Sequence, residues 1–306
     1  MLTIAIILDW VIGELPNKLH PVAWLGKLIS LQERFAPRRG TIAQFSYGLG
    51  VVVLDVALFA LPVYLLMHYL WTVSPIAYIV VGGVLLKISF SLRFLVQSAM
   101  KIKSLLESEK TDDARLNLRS LVSRDTSSLD KPHMVSAAIE SVAENATDSF
   151  VAPLFYFLIL GVPGAIAYRV VNTLDAMIGY HGRYEYLGKA AARLDDALNY
   201  IPARLTALFL IASAFLTGRK NGVNAWRILY RDNGQTESPN AGWPMSAMAG
   251  ALNVQLEKEG FYKLGDGQRQ PVPQDIRGSV YLTLISAGIW FIICLAIAGV
   301  RHAYFP

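Results

Sequence analysis

The run VALFALPVYLLMHYLWTVSPIAYIVVGGVLL, from Val56 to Leu86, contains no Asp, Glu, Lys or Arg. About 20 apolar residues in a helix span the hydrocarbon core of a bilayer, so the run is long enough for two passes. Trp71-Thr72-Val73-Ser74-Pro75 supplies a turn near its middle. Working outward, two more uncharged runs cover Ser149–Tyr168 and Gly278–Val300, and a shorter one covers Leu205–Gly218. Hydrophobic residues make up 54% of the 306 and charged residues 17%, against about a quarter charged in a water-soluble globule. The fold class is therefore all-α, a polytopic helical membrane protein, read as a single membrane-embedded domain over 1–306. Leu2–Leu8 has no basic stretch before it and is cut short by Asp9. It reads as a retained helix packed on the others rather than a secretory signal.

The formal net charge is +5. Excess Lys and Arg in loops is what orients a membrane protein, with the basic side cytoplasmic. No basic run is interleaved with aromatics, which excludes nucleic acid as the expected partner. The partner implied is the lipid bilayer of the cell membrane. A single cysteine, Cys294, can form neither an internal disulfide nor a zinc site.

Arg34, Arg38 and Arg39 precede spans at about 46–70 and 75–97, so the polar segment 98–149 returns to the inside. It reads as helical: Lys101–Glu109 as an amphipathic surface helix, and His133–Phe150 with apolar residues at Val135, Ile139, Val142, Ala146 and Phe150. The segment 219–277 has eight Lys/Arg against six Asp/Glu and prefers the same side. Gly161, Pro163 and Gly164 break the run Ser149–Tyr168, which predicts a re-entrant helical hairpin, tolerated where protein or a cavity covers the freed backbone. An even number of crossings then separates 98–149 from 219–277. Polar segments 98–149, 172–201 and 219–277 are the expected site.

Glu140, Glu144 and Asp148 stand at i, i+4, i+8, which puts three carboxylates on one helical stripe with Asn145 alongside. Like charges at that spacing repel, and a cation or a compensating Lys or Arg would relieve them. Mg²⁺, bound by oxygen ligands, is the metal that such a stripe suggests; the plainer alternative is a solvated acidic face. Asn172 and Asp175 lie on adjacent helical turns beyond the broken run, and Asp195 and Asp196 follow Arg193; the plainer alternative is a surface pair of Arg193 with Asp196. A hairpin would bring Asp148 and Asp175 to one mouth, where acids suit a divalent ion carrying phosphate. Arg124, next to Asp125 in Ser123–Asp130, is a candidate phosphate or carboxylate clamp. Ser238-Pro239-Asn240-Ala241-Gly242-Trp243-Pro244 marks a helix start, whose free N–H groups suit anions. His20, in His20-Pro21-Val22, has no partner at metal-ligand spacing. No Walker or dinucleotide-binding glycine motif accompanies the acids.

In order and spacing these motifs resemble the adenosylcobinamide-phosphate synthase family, membrane enzymes of cobalamin biosynthesis. The resemblance runs nearly end to end. It covers Asp9, Gly13, Pro16 and His20-Pro21-Val22; Ser123-Arg124-Asp125; Glu140, Glu144, Asn145, Asp148 and Val151-Ala152-Pro153; Asn172-Thr173-Leu174-Asp175 and Gly179-Tyr180; Arg193-Leu194-Asp195-Asp196 and Pro202-Ala203-Arg204-Leu205; and Ser238–Gly242. It implies ATP-dependent amide formation between a propionate of the corrinoid cobyric acid and aminopropanol or its phosphate, with ATP as substrate and Mg²⁺ as cofactor. Glu140, Glu144, Asp148 and Asp175 are then the expected catalytic and Mg²⁺ residues. Arg124, Asp125, Asn145, Asn172, Arg193, Asp195, Asp196, Ser238, Asn240 and His20 are the expected substrate and ATP contacts. Contact with other corrinoid-assembly enzymes is an expectation of the same kind. The competing readings are a secondary transporter, suggested by the broken run and by Asp55 inside a span, and a membrane signalling relative. Against transport, no second half of the chain resembles the first.

Overall fold

The computed structural model describes residues 1–16, 18–122, 124–180, 182, 184–267 and 269–304, the last four by backbone alone. Five segments are long and apolar enough to cross a membrane: Thr41–Val73, Pro75–Glu107, Lys131–Ile178, Lys189–Thr217 and Pro273–Val300. The chain forms two compact units, each built from two separate stretches.

The first unit comprises Met1–Ser91 and Ala152–Asn199. It holds α1 (Leu2–Val11), α2 (Pro21–Phe35), α3 (Thr41–Val73), α4 (Pro75–Ile88), α8 (Ala152–Ile178) and the start of α9 (Lys189–Thr217). Its core is Leu25 and Ile29 of α2, Val51 and Val52 of α3, and Val170, Leu174 and Ile178 of α8. The opposite flank of α3 exposes Leu54, Leu58, Leu61, Leu65 and Trp71, as a lipid-facing helix does. Asp55 is turned inward and accepts a 2.7 Å hydrogen bond from the Gln32 side-chain amide. As the sequence predicts, α1 packs on the other helices: a Cβ at Gly83 would lie 2.8 Å from the Ile4 side chain, so the glycine lets α1 and α4 touch.

Two breaks shape this unit. The apolar pattern predicts a span running to about 97, which the segment Pro75–Glu107 covers, but within that segment α4 stops at Ile88. There Ser89 gives both its N–H and its hydroxyl to the Leu86 carbonyl. The buried Lys87 side chain turns to Asp9 at 3.2 Å and Glu14 at 2.8 Å. The second break is at Gly161, whose φ of 69° and ψ of −162° are not helical. The rings of Tyr156 and Tyr168 stack with centroids 5.4 Å apart, whereas twelve residues of straight helix would separate them by about 18 Å. The chain therefore doubles back at Gly161, a left-handed position that glycine adopts without steric cost.

The second unit comprises Leu92–Val151 and the chain from Tyr200 onward. It contains α5 (Leu92–Glu107), α6 (Thr111–Leu118), α7 (Lys131–Ala146), a π-helical turn (Thr147–Val151), the rest of α9, α10 (Arg219–Asp232), α11 (Gly242–Leu252) and α12 (Pro273–Tyr304). A short antiparallel hairpin, β1 (Leu256–Lys258) and β2 (Tyr262–Leu264), pairs Leu256 with Leu264. The helix α7 is central: Met134, Val135, Ala137, Ala138, Ile139, Val142 and Ala143 are fully buried in a core shared with α5, α11, α12 and the hairpin.

Candidate active site

Asp130 starts α7, accepting the His133 N–H at 2.9 Å, with Pro132 in the first turn, where its missing N–H costs nothing. Two turns on, Glu140 is buried and its carboxylate is fully engaged. Ser136 Oγ donates to Oε1 at 2.6 Å. Arg124 Nη2 donates to Oε2 at 3.0 Å and Tyr262 Oη donates to the same oxygen at 2.8 Å. Arg124 is thus the compensating cation that the acidic stripe calls for, and it makes burial of the charge tolerable. Ser136 Oγ also accepts the Glu257 N–H at 2.8 Å, so the hairpin is fastened to α7 at Ser136 and at Glu140.

Arg124, Glu140 and Tyr262 line a cavity of about 130 Å³ with Ser141, Glu144 and Lys258. That is well below the roughly 300–1,000 Å³ of sites that enclose a whole small molecule; it accommodates a phosphoryl-sized group. Glu144, one turn beyond Glu140, is exposed at the cavity. Burial, then the charge and hydrogen bond of Glu140, then the charge of Glu144 push the Tyr262 hydroxyl far above the ordinary phenol range. It remains a proton donor at any physiological pH. Asn145 donates to the Ser141 carbonyl at 2.9 Å. Asp148 is half-buried inside the π-helical turn, a local geometry found often at functional sites.

The remaining candidates fall in varied settings. Asp125 is exposed and closes a turn by accepting the N–H and the hydroxyl of Ser127, both at 2.9 Å; Ser123 lies outside the described residues. Ser238 Oγ accepts the N–H groups of Asn240 and Ala241 just before α11. Asn240 is buried and accepts from Arg204 at 3.2 Å. In the first unit, Asp195 accepts from Asn172 at 3.3 Å and from Asn199 at 2.9 Å, and Asn199 accepts the Tyr168 hydroxyl at 2.9 Å. Asp175 is half-buried on α8. Arg193 faces Asp196 at 3.8 Å from an exposed position, the surface pairing that their spacing allows. His20 caps α2 by accepting the Val22 N–H, and its other nitrogen meets Glu14 at 2.8 Å. Burial alone would raise the Glu14 carboxyl, but hydrogen bonds from His20 and Lys87 outweigh it and hold the group below its usual range.

Glu140, Glu144, Asp148 and Arg124 thus share the second unit, whereas Asp175, Asp195, Asp196, Asn172 and His20 belong to the first. Among the described residues no three His, Cys, Asp or Glu side chains form a metal-holding group. Mg²⁺ rarely requires one, since it is usually bound by one or two carboxylates together with substrate phosphates. With both Glu140 oxygens taken, Glu144 is the exposed carboxylate at the cavity. Sequence reasoning did not single out Ser136, Lys258 or Tyr262. The only signal for them was that a Tyr and a Lys four residues apart flank Gly260, and nothing tied that turn to α7.

Apolar helices of membrane length define the class, a multi-pass membrane protein, and its second unit carries a cavity lined by acidic and basic side chains. Residues 2–291 match the CobD/Cbib protein family, and the chain belongs to that family of cobalamin biosynthesis proteins. The cobalamin biosynthesis protein CobD of Dehalococcoides mccartyi is 52% identical over 96% of this chain and 95% of its own. A probable cobalamin biosynthesis protein CobD of Methanothermobacter thermautotrophicus is 45% identical over 87% of this chain and 86% of its own. That of Thermococcus kodakarensis is 39% identical over 97% and 95%. No solved structure gives a significant match.

Proposed function

We propose that this protein joins aminopropanol, or its phosphate, to a propionate of cobyric acid by ATP-dependent amide formation. One observation carries the reading within this family: Arg124, Lys258, Glu144 and the Tyr262 hydroxyl converge on one phosphoryl-sized cavity. A carboxylate is a poor electrophile, so the propionate oxygen first takes the γ-phosphoryl group of ATP and releases ADP. The amine then attacks the acyl carbon, phosphate leaves, and the amine's proton is lost. Lys258 and Arg124 face the charge that builds on the transferring group. Glu144 is the exposed carboxylate of the cavity, suited to meet a phosphate-borne Mg²⁺ or to take the amine proton. Bound Mg²⁺ would neutralise the phosphates.

The doubled-back run around Gly161 supports the re-entrant hairpin in this reading. Its uncharged first arm, 149–160, is only about 18 Å long at helical rise, short of the roughly 30 Å hydrocarbon core. With neither the hairpin nor Lys189–Thr217 crossing, both polar segments of the second unit lie on one face, the cytoplasmic one, where ATP is. Detergent-purified protein incubated with cobyric acid, ATP, Mg²⁺ and each amine tests the reaction. The expected result is a product heavier by the amine minus water, together with one ADP per amide. Unchanged cobyric acid with every donor would reject the ligase in favour of a transport or signalling role.

A further inference from the structure

Arg204, in the middle of α9, is held by two aromatic rings rather than by a carboxylate. Its guanidinium carbon lies 3.5 Å from the centroid of the Tyr200 ring and 4.4 Å from that of Trp243. One nitrogen, Nη1, donates to the Tyr200 carbonyl at 2.6 Å and to Asn240 Oδ1 at 3.2 Å. Both acceptors are neutral. Among the described residues no carboxylate pairs with Arg204, and its Nε and Nη2 have no hydrogen-bond partner. By contrast Arg124, Arg231 and Arg269 each pair with a carboxylate. A half-buried cation fixed by two rings, with two donors open and no counter-charge, is arranged for an anion that is not part of the chain.

The geometry says which anion. A guanidinium presents parallel N–H groups that match the paired oxygens of phosphate. Contact with aromatic faces orders the side chain beforehand, so binding loses little rotamer freedom. Asn240, which anchors Nη1, stands just before α11, a helix whose first residue is Gly242 and whose cap makes no side-chain hydrogen bond. The positive end of that helix dipole adds to the local field. Arg204 immediately precedes the apolar run 205–218.

We propose that Arg204, fixed by Tyr200, Trp243 and Asn240, binds a phosphate group, borne either by a soluble phosphate ester or by a lipid headgroup. The site is separate from the Glu140 cavity and stands whether or not the chain is a ligase, because binding is read without turnover.

The test is the rate at which phenylglyoxal modifies Arg204 in the intact purified protein, read by peptide mass. The rate is compared in chloride, in inorganic phosphate, and in ATP at equal ionic strength in neutral detergent, and in phosphatidylglycerol against phosphatidylcholine nanodiscs. Slowing by about tenfold or more in phosphate or ATP assigns the site to a soluble ester; slowing confined to phosphatidylglycerol assigns it to a headgroup. Equal rates throughout, or an Arg204 that the reagent does not reach even in chloride, overturn the proposal. Arg204→Lys keeps the charge but loses the fork. It should weaken binding of the protecting anion by about tenfold while the ligand-free unfolding midpoint stays unchanged, and undiminished affinity in this variant would also overturn it.

Discussion

Tyr262, on a two-stranded hairpin, donates its phenolic hydrogen to Glu140 in the middle of α7 across 2.8 Å, although 122 residues separate them in sequence. The bond satisfies a buried carboxylate and closes one wall of the cavity at once. Tyr262→Phe removes only the hydroxyl and leaves Glu140 one donor short. It should lower stability by about 1–3 kcal/mol, the cost of an under-satisfied buried polar group, and reduce product formation. Thermal unfolding and turnover on the same preparation check this; an unaltered unfolding midpoint would remove Tyr262 from the support of Glu140.

Glu140 and Glu144 lie one turn apart yet should fail in different ways. Glu140→Gln strands the Arg124 cation, and breaking a buried pair costs about 3–5 kcal/mol, so loss of folded protein is the expected outcome. Glu144→Gln removes an exposed charge at the cavity and should leave stability unchanged within a few tenths of a kcal/mol. Amide formation should nonetheless fall by about a hundredfold, the scale of one lost electrostatic stabiliser. Near-normal turnover in Glu144→Gln would leave it a solvated surface acid.

Asp55→Asn should keep most activity. The Gln32 amide donates to Asp55 Oδ1, and an asparagine carbonyl oxygen can accept the same bond. Stability should shift by no more than about 1 kcal/mol. Abolished turnover in well-folded Asp55→Asn protein would give this carboxylate a part in chemistry or transport.

Glu14 makes stability of the first unit depend on pH. Its folded carboxyl is held below its ordinary value of 4.5, so the unfolded chain takes up a proton first as pH falls. The stabilisation is therefore present above about 4.5 and disappears as pH drops through the folded value. Unfolding midpoints from pH 7 to 3 should fall more steeply in the wild type than in Glu14→Gln. Parallel curves would show that Lys87 and His20 do not act through Glu14.

The cavity takes Arg124 and Glu144 from one polar segment and Lys258 and Tyr262 from the other, so 98–149 and 219–277 are expected on the same side of the membrane. In a Cys294→Ser background, cysteines placed singly at Ser108 and Ser238 should react together with an impermeant reagent in inside-out vesicles. Opposite labelling of the two positions would contradict a shared cavity.

The long helices were legible because charge is absent from Val56–Leu86 and Gly278–Val300, and in a bilayer that absence is a direct statement about solvent. The turn at Gly161 was legible because glycine and proline crowd one spot in an otherwise helical run. The spacing of Glu140 and Glu144 marked one helix face, but not which acid would be buried. That depends on Arg124 and Tyr262, brought there by a loop and a hairpin whose positions no local pattern encodes. The break after Ile88 was missed for the same reason: the span reads on to about 97 until Asp9 and Glu14 are known to receive Lys87. Arg204 sat inside a recognised motif, yet only the rings of Tyr200 and Trp243 beside it make it distinctive.

The pairing of Asp9 with Lys87 also bears on biogenesis. A lone ionised carboxylate within an apolar segment resists partition into the membrane by about 2.5–3.5 kcal/mol on insertion scales. The ammonium that offsets it emerges from the ribosome only with α4, several seconds later at about 5–20 residues per second. Until then α1 has neither its counter-charge nor the Gly83 surface it packs against. Its stable seating is therefore a late event that waits for a helix far downstream, and a lysine lost at position 87 would be felt first as a defect in membrane assembly.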